Sequence, residues 1–142
     1  MSPRHCERYL RILLIATGLV MLLAFTAMVM PRGWMAAIHA WLGLGPFPDQ
    51  PIATYLARTT SGLYGLLGVL LLLGATDVRR YSAMIATAAA GIAGLAVVAM
   101  AFAPIDGMPW WWSAGDAASA WGFAAIVLVL QWKARRVLPK ND

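Results

Sequence analysis

Two charged residues sit inside otherwise apolar stretches of the chain. Arg58 lies about four residues into the run Thr54–Ala75, and Asp116 about five residues into the run Trp111–Trp132. A charge inside a stretch long enough to cross a bilayer is costly and is a functional candidate by default. Both runs are read as starting at the same membrane face, so at ~1.5 Å per residue the two charges fall at matched depth, ~6–8 Å in. An arginine and an aspartate so placed are expected to pair, because either one alone carries a desolvation penalty that pairing offsets. Helical phase puts Thr54 and Ser61 on the Arg58 side of its helix, with Gly62 and Gly65, and puts Ser113 on the Asp116 side, with Trp112, Ser119 and Phe123. A strip of Ala83, Thr87, Ala90, Gly94 and Ala101 on the intervening run is smooth enough to pack beside them. These polar groups are therefore expected to point inward, just beneath the outer interface, with Tyr55, His39 and Asp106 close enough to join.

Three kinds of chemistry compete for that constellation. The plain one is an ion pair that pins two helices in register. The second is a pocket for a lipid headgroup, a quinone or another amphipathic molecule. The third is catalysis, with His39 as general base and Asp116 orienting it; nothing in the spacing requires it, so no catalytic residue is assigned. No HxxH, HxH or HExxH spacing occurs, and no metal site is expected. His5 and His39 belong to opposite membrane sides, which argues against a haem held between two histidines. The single Cys6 excludes an internal disulfide and reads as an inert thiol. No resident cofactor is implied, although a quinone or lipid would suit the second reading.

The elements that must position these residues follow from composition. Of the 142 residues, 61% are hydrophobic and 12% charged, whereas a soluble domain is about a quarter charged. Mean hydropathy is +0.71. Four apolar runs, about Leu10–Met30, Thr54–Ala75, Ser82–Ala103 and Trp111–Trp132, each approach the ~20 residues that cross a bilayer core. The first is too long for the h-region of a signal peptide and is expected to remain as a span. The net charge of +5 does not point to nucleic acid, because the basic residues flank the apolar runs. With the N-terminus inside, Arg4, Arg8, Arg11, Arg79, Arg80, Lys133, Arg135, Arg136 and Lys140 are cytoplasmic and only Arg32 and Arg58 are external. Nine against two is the bias that orients multi-pass proteins, and it predicts both termini in the cytoplasm.

The connections differ in kind. Asp77–Arg80 is a tight inner turn that makes the second and third spans antiparallel neighbours. The first outer loop, Pro31–Ile52, contains Gly33–Gly43, where Trp34, Ile38, Trp41 and Leu42 share one helical face and His39 sits at its rim. That pattern predicts a short helix lying in the outer interface, ended by Gly43, Gly45, Pro46 and Pro48. The second outer loop runs into Trp110, Trp111 and Trp112, which with Trp34 and Trp41 read as interfacial anchors. Met-Pro followed by Trp occurs in both outer loops, at Met30-Pro31…Trp34 and Met108-Pro109…Trp112. The tail from Lys133 through Arg136 to Lys140 reads as a contact for anionic headgroups.

In the stretches Trp34–Gly45, Pro51–Arg58 and Asp77–Tyr81, and in the Gly107–Trp112 entrance to the fourth run, the chain resembles a group of small bacterial four-helix membrane proteins without an assigned activity. That resemblance covers nearly the whole chain and implies topology alone. By span count and size the layout is also similar to DoxX-like proteins, and less so to the sterol-isomerase-like family, which needs several intramembrane acids where this chain offers Asp116. Neither transfers a site. The expected protein is therefore a single all-α membrane domain, residues 1–142, built as a four-transmembrane-helix bundle with an interfacial helix in its first outer loop. Its expected place is a bacterial inner membrane. Its expected role is non-enzymatic: an accessory subunit of a larger complex or homo-oligomer, or a binder of an amphipathic lipid or quinone near the outer face. The alternative is a membrane enzyme or redox component using the Arg58/Asp116/His39 region.

Overall fold

A computed structural model describes residues 3–135 of the chain. Among these residues every regular element is helical: α1 (Pro3–Leu22), α2 (Ala24–Met28), α3 (Arg32–Trp41), α4 (Pro51–Thr76), α5 (Ser82–Phe102) and α6 (Trp110–Arg135). Four stretches are long and apolar enough to cross a membrane: Arg4–Met28, Pro51–Thr76, Ser82–Phe102 and Trp110–Ala134. These are the four runs expected from composition, and the chain is a multi-pass membrane protein in that sense. Only 17% of each spanning window is buried, so the apolar surface of these helices has to be solvated by lipid or by other helices. Arg136 and Lys140 of the basic tail lie outside the described residues.

The first span starts earlier than its apolar run, so that Arg4, Arg8 and Arg11 are already helical. It is interrupted at Leu23, where the amides of Leu23 and Thr26 each bond three residues back, to Val20 and Leu23, and the Thr26 hydroxyl also donates to the Leu23 carbonyl at 2.6 Å. A hydroxyl competing for a helix carbonyl tightens and bends the turn around it, which separates α1 from α2.

The chain divides into two compact units, Ile15–Leu73 and Met1–Leu14 with Gly74–Asp142. The first is organised by glycines of α4. A Cβ at Gly68 would lie 2.8 Å from the Gly18 carbonyl oxygen and 3.0 Å from Met21 Cβ, and one at Gly18 would meet Gly68 O at 3.0 Å. The two backbones therefore touch, as small residues allow between helices in lipid. One turn on, Gly65 receives the Phe25 ring and Gly62 the Met28 sulfur.

The second unit is built around the antiparallel hairpin α5–α6. Its core alternates small and branched side chains: Ile85, Ala89 and Ala96 on α5 with Ala117, Ala124 and Val127 on α6. Two polar contacts set the register. Gln131 Nε2 donates to the Ser82 carbonyl at 3.0 Å, and Trp121 Nε1 donates to the Ala93 carbonyl at 3.2 Å; eleven residues forward on α5 match ten backward on α6. The inner turn is locked by Asp77, whose Oδ1 accepts from the amides of Arg79 and Arg80 and whose carbonyl accepts from Tyr81 N. It presents Arg79 to Glu7, and the guanidinium meets Glu7 Oε1 through Nε at 2.7 Å and Nη2 at 2.6 Å.

Candidate functional site

In the Ile15–Leu73 unit, the outer loop is closed by its own polar groups. Arg32, the first residue of α3, donates through Nη2 to Asp49 Oδ1 at 2.8 Å and to the Pro48 carbonyl at 3.0 Å. At the other end of α3, His39 Nδ1 lies 3.0 Å from the Gly45 carbonyl oxygen. A carbonyl only accepts, so Nδ1 carries the proton. The imidazole also meets Phe47 edge to face, with centroids 5.5 Å apart. Gly43 and Gly45 take positive φ values of 71° and 83°, a conformation that glycine adopts without the Cβ clash, and the backbone thereby folds back under His39. Half-buried and engaged on one nitrogen, His39 staples a loop.

The same loop explains the repeated Met-Pro…Trp pattern. The Pro31 carbonyl accepts from Trp34 N at 3.0 Å and Met35 N at 3.3 Å, and the Pro109 carbonyl accepts from Trp112 N and Ser113 N at the same two distances. In both places proline ends the extended segment and starts a helix whose third residue is tryptophan. The likeness is one of local helix initiation.

Arg58 is exposed and donates through Nη2 to the Met30 carbonyl at 3.3 Å, a carbonyl freed at the end of the first span. Thr54 and Ser61 are half-buried beside it, while Tyr55 is exposed. In the other unit, Asp116 and Asp106 are exposed and Ser113 is half-buried. Ser113 and Ser119 turn their hydroxyls back to the helix, onto the carbonyls of Trp110 at 3.2 Å and Asp116 at 2.8 Å. Two salt bridges, Arg32–Asp49 and Arg79–Glu7, each lie within one unit. Arg58 and Asp116 belong to different units and are described with their own neighbours.

Three expectations of phase differ from what is observed. The strip Ala83, Thr87, Ala90, Gly94 and Ala101 is exposed, and α5 packs through Ile85, Ala89 and Ala96 instead. On α6 the packed line is Ala117, Ala124, Val127 and Gln131, with Asp116 and Ser119 outside it. Ile85 and Val127 are among the most deeply buried side chains of this unit, and the Ile85 side chain lies against Gly74, where an added Cβ would meet it at 3.0 Å. Leu42 also departs from the Trp34 face of α3. Trp34, Ile38 and Trp41 are exposed together, while Met35 is buried and Leu42 half-buried on the adjoining face. Trp110, Trp111 and Trp112 are exposed, the last two ring-to-ring at 5.9 Å.

Sequence reasoning missed the polar ends of the α5–α6 hairpin. Gln131 is an isolated carboxamide in an apolar run and Glu7 is the chain's one glutamate; both types are rare in spans, and that rarity was the available signal. Cys6 is buried and free. Among the described residues no group of three or more His, Cys, Asp or Glu side chains could hold a metal ion. Compared with known proteins, the chain matches no family model, no curated protein and no solved structure.

Proposed function

We propose that the chain is a non-enzymatic subunit of a membrane assembly, docking its partner through the exposed small-residue face of α5 and α6 around Asp116. One observation carries this reading: Thr87, Ala90, Gly91 and Gly94 on α5, and Gly115, Asp116, Ser119 and Gly122 on α6, are all exposed. A Cβ added at any of these four glycines would meet nothing within 4 Å. Smooth surface of that kind is what transmembrane helices use to approach one another, and a carboxylate within a span costs roughly 2.5–3.5 kcal/mol unless it is covered or neutralised. The partner is accordingly a transmembrane helix, from a second copy or another protein, that brings small residues and a basic or hydrogen-bond-donating side chain to the depth of Asp116.

In this reading the four spans form a bundle in a bacterial cytoplasmic membrane with both termini inside, supported by the nine-to-two distribution of basic residues. Helix α3 lies in the outer interface, supported by the joint exposure of Trp34, Ile38 and Trp41. Purification in a mild detergent followed by native mass spectrometry tests the proposal. The wild-type chain is expected to carry a stoichiometric partner or a second copy. Asp116→Ala and Gly94→Leu should each release it while the helical circular dichroism stays unchanged. A wild-type chain that runs alone from native membranes, or variants that keep the same partner, would overturn it.

A further inference from the structure

The N-terminal end of α1, the inner turn and the C-terminal part of α6 line an open cavity of about 160 Å³. A single buried water needs only ~10–15 Å³ by a comparable measure, so the space admits a small organic group. Its walls are apolar at Leu10 and Val78 and polar at Glu7, Arg79, Ser82 and Gln131. With four spans crossing the membrane, the start of the first, the turn between the second and third and the end of the fourth all lie at one membrane face. The cavity therefore sits where lipid headgroups meet the protein, away from the docking face proposed above.

The polar wall has a defined sense. A carboxylate offers about four acceptor positions, and the contacts recorded from Arg79 to Glu7 fall on Oε1. Gln131, only 6% exposed, gives its NH2 group to the Ser82 carbonyl, which leaves its carboxamide oxygen as an acceptor. The wall thus holds spare acceptors from a carboxylate and a buried amide, which call for a cation that donates hydrogen bonds. Around the same end stand exposed Arg4, Arg8, Arg80 and Lys133, which call for an anion at the rim. The Glu7–Arg79 pair is itself neutral.

We infer that this cavity binds a phosphoethanolamine headgroup, with the primary ammonium inside against Glu7 and Gln131 and the phosphate outside on the basic rim. A choline headgroup lacks N–H donors and is bulkier; a glycerol headgroup lacks the cation.

The test uses the full-length protein, delipidated in detergent and titrated by native mass spectrometry with lipids of identical acyl chains. These carry ethanolamine, N-methylethanolamine, N,N-dimethylethanolamine, choline or glycerol headgroups. Affinity should fall stepwise with each methyl group, by about tenfold from ethanolamine to choline, and glycerol should bind no better than choline. Glu7→Gln and Gln131→Leu should each flatten that series. Competition by soluble phosphoethanolamine would assign the site to the free headgroup; its failure beside tight lipid binding would assign it to the membrane lipid. Equal affinity of the wild-type protein for all five lipids would overturn the inference, with no variant needed. So would an intact methylation series in both variants.

Discussion

At the residue scale, the close approach of Gly18 and Gly68 leaves no room for a side chain at either position. A methyl group at Gly68 lands 2.8 Å from a backbone oxygen and 3.0 Å from Met21 Cβ, atoms that cannot swing aside as a side-chain tip would. Gly68→Ala is therefore expected to destabilise the α1–α4 contact by about 1–3 kcal/mol, read as an earlier thermal transition in detergent. Gly91→Ala, where the new Cβ meets open space, is the control and should leave the transition in place. Equal effects of the two would show that the backbones do not touch. The glycines on the Arg58 side of α4 were legible in the sequence as an interface, because small residues at helical spacing have few other uses in a span. Asp116 was legible as unusual, but its exposure was not. Phase ranks the sides of a helix relative to one another and does not say which side meets its neighbour.

At the element scale, α3 is a ten-residue helix clasped at both ends, by Arg32 on Asp49 and by His39 on Gly45. It holds Trp34, Ile38 and Trp41 exposed on one face, and such a face is expected to settle at the headgroup boundary. A spin label at Ile38→Cys, in a Cys6→Ser background, should be relaxed by oxygen more than by a water-soluble nickel chelate. A label at Gly33→Cys should show the reverse. Matching accessibilities at the two positions would place α3 in water. The presence of a helix here was readable from its apolar spacing, although Gly33–Gly43 was expected and the helix runs Arg32–Trp41, starting one residue earlier and ending two before Gly43. The clasp was not, because Arg32 and Asp49 are distant in sequence and either could have paired elsewhere.

At the scale of the whole molecule, the topology proposed above has residues 31–52 and 103–109 on one side of the membrane and the turn at Asp77–Arg80 on the other. Reporter fusions within Pro31–Ile52 and after Asp142 should accordingly give opposite signals, external for the loop and cytoplasmic for the terminus. A shared location would remove the assignment of the basic rim, and with it the headgroup face of the inner cavity. Span number, the bias of basic residues and the helix starts at Pro31 and Pro109 were determined by the sequence alone. Each depends on local chemistry: run length, the charge beside a run, and the missing amide of proline. Which faces of α5 and α6 pack was decided by tertiary structure. In water a buried face announces itself by being apolar, but in lipid both faces are apolar and hydropathy cannot separate them. The burial of Ile85, Ala89, Ala96, Ala117, Ala124 and Val127, and the reach of Gln131 and Trp121 to the carbonyls of Ser82 and Ala93, mark the faces that pack, and the glycine strip with Asp116 stays exposed.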